Sequence, residues 1–283
     1  MRQDAYTTIP VENLKPYKNH PFKEYTGETL EAMVDSIREY GIINPIIVRR
    51  TPRSSDIYEI ISGHNRVKAA KIAQLTSVPA IIKEMDNDTA DLLVTESNFK
   101  QRNDLLPSEK GKAYKMQLEA IKRQGERNDL SSVQFEHRLG RAQVAGMNNE
   151  KPSQIQRYIR LTFLIPKLLD AVDDEKIPFT PAVNISHLRK SEQQILHEIL
   201  SKQNTKLTIE QSLKLKETSS NHILERDEII SILEAETNKK KKPVKAVKVP
   251  FKSIEKYFEG QELTEDEILD RIIKALDNYS DGQ

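Results

Sequence analysis

The chain has 283 residues, of which 37% are hydrophobic and 31% charged, with a formal net charge of +1. That length suits two or three modest domains, and the near-zero net charge argues against a simple polycation. The absence of cysteine excludes thiol nucleophiles, disulfides and cysteine-ligated zinc or iron–sulfur centres.

Met1–Pro10 lacks a signal-peptide core, and no apolar run approaches the roughly 18 residues of a membrane span. A cytoplasmic protein with no membrane partner is therefore expected. The first hundred residues alternate strand and helix. "TTIPVENLKPY" reads as a strand and turn, and Leu30–Tyr40 has its apolar residues at helical spacing before Gly41. "NPIIVRR" and "IYEIIS" are short strands around the polar connection "TPRSSD". Val67–Leu75 is predicted helical, "VPAIIKEM" a strand and Thr89–Gln101 a helix. Residues 1–104 thus form an α+β domain.

From Pro107 onwards the strand signals stop. Helices rich in Ala, Leu, Ile, Lys and Glu define an all-α domain over residues 105–217, with "RQGERNDLSS" as an internal loop. "KETSSNH" reads as a polar hinge before a helix at Ile223–Glu236. Residues 218–250 are assigned as that helix and a basic linker containing Lys239–Lys242. Residues 251–283 form a C-terminal helical segment. It opens with Thr264 and Glu267 at capping-box spacing and carries an apolar stripe of Ile268, Leu269, Ile272, Ile273 and Leu276. A helix this short is marginal alone, so pairing across a homodimer is favoured over folding back.

Two stretches carry chemistry. The first is "SGHNR". Gly63 lets the backbone approach an anion, the following helical turn presents free amides, and Arg66 can add a forked contact. The same residues also fit an ordinary tight turn in which Asn65 caps the helix. No catalytic set stands out. The histidines His20, His64, His137, His187, His197 and His222 show no paired ligand spacing, so no metal site is expected.

The second is Ala142–Val172. A helix carrying Val144, Ala145 and Met147 meets a turn at Asn148–Asn149, where positive φ is tolerable. Pro152 then suits the first turn of a second helix. Ile155, Ile159 and Leu161 face inward there, leaving Ser153, Gln154, Gln156, Arg157 and Arg160 outside, with Lys151 just before them. This is a helix-turn-helix pattern whose exposed side chains suit base edges in a major groove. Arg138, Arg141, Lys151, Arg157, Arg160 and Lys167 against the single acid Glu150 supply phosphate anchoring. An αα-hairpin with a polar face is the plainer alternative.

The order of "TLEAMVDSIREYGIINPIIVRR", "YEIISGHNRVKAAKIAQLTSVPAIIKEM", "ESNFKQRNDLLPSEKGKAYKMQLEAI" and "QRYIRLTFLIPKLLDAV" resembles the ParB/RepB partition-protein family over roughly Ile9 to Leu215. The likeness is to the plasmid or conjugative-element type. It implies a ParB/sulfiredoxin-like N-terminal fold, a central helix-turn-helix domain on double-stranded centromere-like DNA, and a C-terminal dimerisation segment. It further implies a ParA-type ATPase partner and association with the nucleoid. Many members are clamps that use CTP with Mg2+. Their phosphate loop, Gly-Glu-Arg-Arg, matches Gly63, His64, Asn65 and Arg66, so the central Glu and Arg are replaced. Their Glu-Asn-Leu-Gln-Arg motif matches "ESNFKQR", with one extra residue; Glu96, Asn98 and Arg102 are the corresponding positions. A weakened nucleotide site is expected. The alternatives are a CTP-switched clamp with weak CTPase activity as its central role, or a transcriptional regulator. A sulfiredoxin-type enzyme is excluded by the missing cysteine.

Overall fold

Strand-length runs of β-branched residues pair into one mixed sheet: β1 (Ala5–Pro10), β2 (Leu14–Pro16), β3 (Ile46–Arg50), β4 (Tyr58–Ser62) and β5 (Ser77–Ile82). Their order is β1-β5-β3-β4-β2, with β1/β5 and β3/β4 antiparallel and β2/β4 and β3/β5 parallel. The computed structural model describes residues 5–51, 56–127, 133–203, 206–237, 250–258 and 264–280. Ile46, Val48 and Val78 are fully buried in the sheet core, completed by Val67 and Ala70 of α2 (His64–Ile72). Val34 and Ile37 of α1 (Gly27–Tyr40) pack with Ala69 beside it.

α3 (Asn87–Gln101) leads from the sheet to α4 (Pro107–Arg127). A chain of polar contacts ties these elements to the sheet. Tyr17 donates its hydroxyl to Asp91 at 2.6 Å, and Arg123 of α4 lies 2.6 Å from both Asp91 and Asp88. Phe99 stacks on Tyr114 at 5.0 Å.

α5 (Val133–Asn148) and α6 (Pro152–Leu161) follow. Their Val144, Ala145, Ile155 and Ile159 pack with Tyr114 and Ile121 of α4. A Cβ at Gly111 would lie 2.5 Å from the Tyr158 carbonyl, so only glycine allows this approach of α4 and α6. α7 (Pro166–Asp173), α8 (Phe179–Ile185), α9 (Lys190–Gln203), α10 (Ile209–Asn221) and α11 (Arg226–Thr237) share a separate core around Leu168, Leu196 and Leu215. The architecture is an α+β domain followed by a helical region. Met1–Thr237 form one compact unit and Asn238–Gln283 a second, in which α12 (Glu265–Ser280) is the main element.

Several boundaries differ from the sequence reading; α11, for instance, starts at Arg226 rather than Ile223. α2 begins at His64 rather than Val67, so the polar residues are its first turn. α4 continues through Arg127, where a loop from Arg123 was expected. The expected hinge "KETSSNH" is largely the last turns of α10. There Thr218 and Ser220 bond back to the carbonyls of Lys214 and Glu217, while Ser219 is buried and donates to Glu192 at 2.7 Å. Hydroxyl side chains that satisfy themselves within a helix look like loop residues in sequence. Lys239–Lys242 and the connection at 52–55 lie outside the described residues.

Candidate functional site

The turn after β4 is built around Gly63. Its φ of 107° is left-handed, and a Cβ there would meet Ile46 Cγ2 at 2.6 Å and Arg66 Nη2 at 3.1 Å. α2 starts directly behind it, its first helical bond running from Val67 N–H to the Gly63 carbonyl at 3.0 Å. The amides of His64, Asn65 and Arg66 precede that bond, in the positions where a helix start has no intrahelical acceptor to offer.

A cavity of about 150 Å³ opens here, lined by Gly63, His64, Asn65, Arg66, Asn98 and Arg102 among the expected residues, and by His20, Lys23 and Gln101 among others. Glu96 is not part of the lining. Its half-exposed carboxylate pairs with Lys100 at 2.6 Å along α3. Asn98 donates its amide to the Val94 carbonyl at 2.8 Å.

Asn65 does not cap α2. Gly63 is the N-cap, and Asn65 Oδ1 accepts from the Tyr25 amide at 3.0 Å, fastening the loop before α1. Arg66 donates from Nη1 to the carbonyls of Asn44 and Pro45. Among the described residues it forms no ion pair with a carboxylate. The other two cations at the cavity are already paired: Lys23 with Asp173 at 2.9 Å and Arg102 with Glu109 at 3.3 Å.

His64 Nε2 accepts from the Tyr17 amide at 3.1 Å, which fixes the proton on Nδ1 and makes the ring a neutral donor. Burial, reinforced by the neighbouring His20, pushes its pKa down to about 3. His20 lies 3.9 Å away, centroid to centroid. It donates Nδ1–H to the Phe22 carbonyl at 3.0 Å, and burial lowers its pKa as well. Sequence spacing could not reveal Lys23 and His20 as cavity residues, because they reach Gly63 from a loop about forty positions earlier.

The second site is α6. Asn149 adopts φ 52° between α5 and α6, and Lys151 and Pro152 form the N-cap and first position. Ile155 and Ile159 are buried; Lys151, Ser153 and Gln156 are exposed, and Gln154, Arg157 and Arg160 are partly so. Gln156 accepts from Arg141 at 3.1 Å. Arg160 reaches the end of α8. Its Nε and Nη2 donate to the Ser186 hydroxyl and carbonyl at 3.1 and 2.8 Å, its guanidinium lies 4.6 Å from the Phe163 ring, and burial lowers its pKa. It is a strut between α6 and α8.

An α+β sheet domain with a cavity at Gly63, leading into a helical region, defines the class of the molecule. The ParB N-terminal domain family matches residues 1–98. The nucleoid occlusion protein of Bacillus licheniformis is 30% identical over 241 residues, covering 84% of this chain and 73% of that protein. The chromosome-partitioning protein Spo0J of Thermus thermophilus is 31% identical over 170 residues, covering 60% of this chain and 55% of the relative. Against such partitioning relatives the chain spans about half their length. The C-terminally truncated chromosome-partitioning protein ParB of Caulobacter crescentus, complexed to the centromeric parS site, has 21% identity and a TM-score of 0.44, covering 75% of this chain and 99% of that one. The chain belongs to the ParB family.

Proposed function

We propose that this chain is a sequence-specific DNA-binding partition protein that marks a centromere-like site. In this reading it acts as a nucleoid-associated homodimer together with a ParA-type ATPase. The observation that carries the reading is the polar face of α6: Lys151, Ser153, Gln154, Gln156 and Arg157 stand opposite the buried Ile155 and Ile159, directly after the Asn149 turn. Family membership supports it, as do relatives named for chromosome partitioning. Selection from randomised double-stranded DNA tests it. A recurring site should emerge and weaken on Gln154→Ala with Arg157→Ala, whereas failure of the intact chain to enrich any sequence overturns the reading. Loss rate of the replicon encoding the chain, after its deletion, separates partition of a plasmid or conjugative element from transcriptional regulation.

A second reading, a CTP-switched clamp, is favoured by the Gly63 cradle. The free amides at the start of α2 and Arg66 fit a phosphate group. A cavity of about 150 Å³ is below the roughly 300 Å³ at which small-molecule sites begin, so it holds a phosphate rather than a whole nucleotide without opening. The lining includes no carboxylate, whereas protein Mg2+ sites usually supply one or two alongside substrate phosphates. The residues fit the anion and not the metal, and no hydrolytic step is derived. Titration of CTP with and without Mg2+ tests this reading, and no binding at millimolar nucleotide removes it.

A further inference from the structure

We propose that the DNA specificity of this chain is set partly by α8, outside the helix-turn-helix, through Thr180 and Phe179 acting as positioning residues for Arg157. The inference rests on the reading of α6 as the DNA-contacting helix.

Arg157 is the arginine on the polar face of α6 that is not consumed by a strut. Its Nη2 donates to Thr180 Oγ1 at 2.7 Å, and its Nη1 lies 3.5 Å from Gln154 Oε1, at the limit of a hydrogen bond. The guanidinium carbon sits 4.9 Å from the centroid of the Phe179 ring. Among the described residues three of its N–H donors are left in a planar fork, the number and geometry from which guanine O6 and N7 can draw two.

The platform beneath this fork is closely packed. Phe179 packs on Tyr158 at 4.8 Å, and Tyr158 on Tyr114 at 5.7 Å, so the ring is the outer end of an aromatic stack rooted in α4. Thr180 stands in the first turn of α8 between Pro178 and Pro181. α8 is itself pinned by the fully buried Ala182 and Ile185 and by Asn184, which donates to Ser212 at 2.9 Å. A guanidinium oriented before DNA arrives loses less rotamer freedom on binding and presents its fork in one direction. An unanchored arginine can satisfy several bases or a phosphate. Thr180 therefore acts on which base is preferred more than on whether DNA is held.

The test is selection from randomised double-stranded DNA with four full-length variants beside the parent. Arg157→Ala identifies the base position that this side chain reads. Thr180→Val, which keeps the β-branched shape but removes the acceptor, should lower discrimination at that same position by roughly fivefold or more. Other positions and the salt dependence of non-specific binding should stay unchanged. Thr180→Ser should restore the preference, and Phe179→Leu should weaken it at the same position. An unaltered motif in Thr180→Val overturns the proposal. So does a uniform loss across all positions, which would mark Thr180 as a support for α8 only, and so does an unaltered motif in Arg157→Ala. If the parent enriches no site, the DNA-binding reading itself fails, a distinct outcome.

Discussion

Lys23 Nζ lies 2.9 Å from Asp173 Oδ2, joining the loop before α1 to the end of α7 across 150 residues of sequence. Asp173 is nearly buried and also accepts from the Ser108 amide at 3.0 Å and the Ser108 hydroxyl at 2.6 Å. Next to it Glu109, fully buried, accepts from the amides of Lys23 at 2.7 Å and Leu106 at 2.8 Å. Two carboxylates thus satisfy the start of α4 and hold the sheet domain against the helices. Asp173→Ala should cost about 1–3 kcal/mol, because it strands buried donors. Lys23→Ala should cost less than about 1 kcal/mol, since the lysine end of the pair is half exposed and screened. Urea unfolding of the two variants checks the ranking, and equal losses would mean that the ion pair matters more than the helix start.

Gly63→Ala is expected to destabilise the chain by about 1–3 kcal/mol, since alanine would be held at positive φ with its methyl 2.6 Å from Ile46 Cγ2. Relief has to come from the sheet, because Ile46 is fully buried. Denaturant midpoints measure the loss. Loss of phosphate or nucleotide binding in the same variant, under conditions where it stays folded, would tie the cradle to the anion.

The histidine pair makes stability depend on pH with a definite sign. His64 titrates at about 3 in the folded chain but near 6.5 unfolded, and His20 is shifted in the same direction. Between those values the unfolded chain binds more protons, so stability is fully present above about pH 6.5 and falls as pH drops toward the folded value. Each such histidine contributes a slope approaching about 1.4 kcal/mol per pH unit. His187, lowered to about 4 mainly by burial, adds to the same limb. His64→Gln, whose side-chain oxygen can still accept from Tyr17, should flatten the decline between pH 6.5 and 5.5. Unfolding curves of parent and variant at those two values decide the matter, and parallel declines would dismiss His64 as a contributor.

The legible parts of this molecule were those whose signal is local. Apolar spacing marked α1 and α3, β-branched runs marked β3 and β4, and Asn149 before Pro152 marked the turn into α6. The start of α2 is masked in sequence because His64, Asn65 and Arg66 look like loop residues, although behind a left-handed Gly63 they are its first turn. Glu96 and Asn98, two positions apart on α3, fall on different faces, and only the fold shows that Asn98 lines the cavity. Arg157 and Arg160 look equivalent in sequence. Their different partners, Thr180 for Arg157 and Ser186 for Arg160, lie more than twenty residues away on and just after α8.

α12 presents apolar side chains to solvent. Its start is capped as expected: the Thr264 amide donates to Glu267 at 2.8 Å, and the Glu267 amide lies 3.4 Å from the Thr264 hydroxyl. Of the expected stripe, Leu269 and Ile273 remain 56% and 49% exposed, Ile268 and Ile272 are partly buried, and the Leu276 side chain lies outside the described residues. Apolar residues four apart on one exposed face of a capped helix are the pattern of a helix that pairs with another. Leu269→Glu combined with Ile273→Glu should convert a dimer to a monomer in sedimentation equilibrium. The unfolding of the Met1–Thr237 unit should be unchanged, because neither residue belongs to its core. A dimer that survives both substitutions would assign self-association to another surface, and a monomeric parent would remove the homodimer from the proposed function.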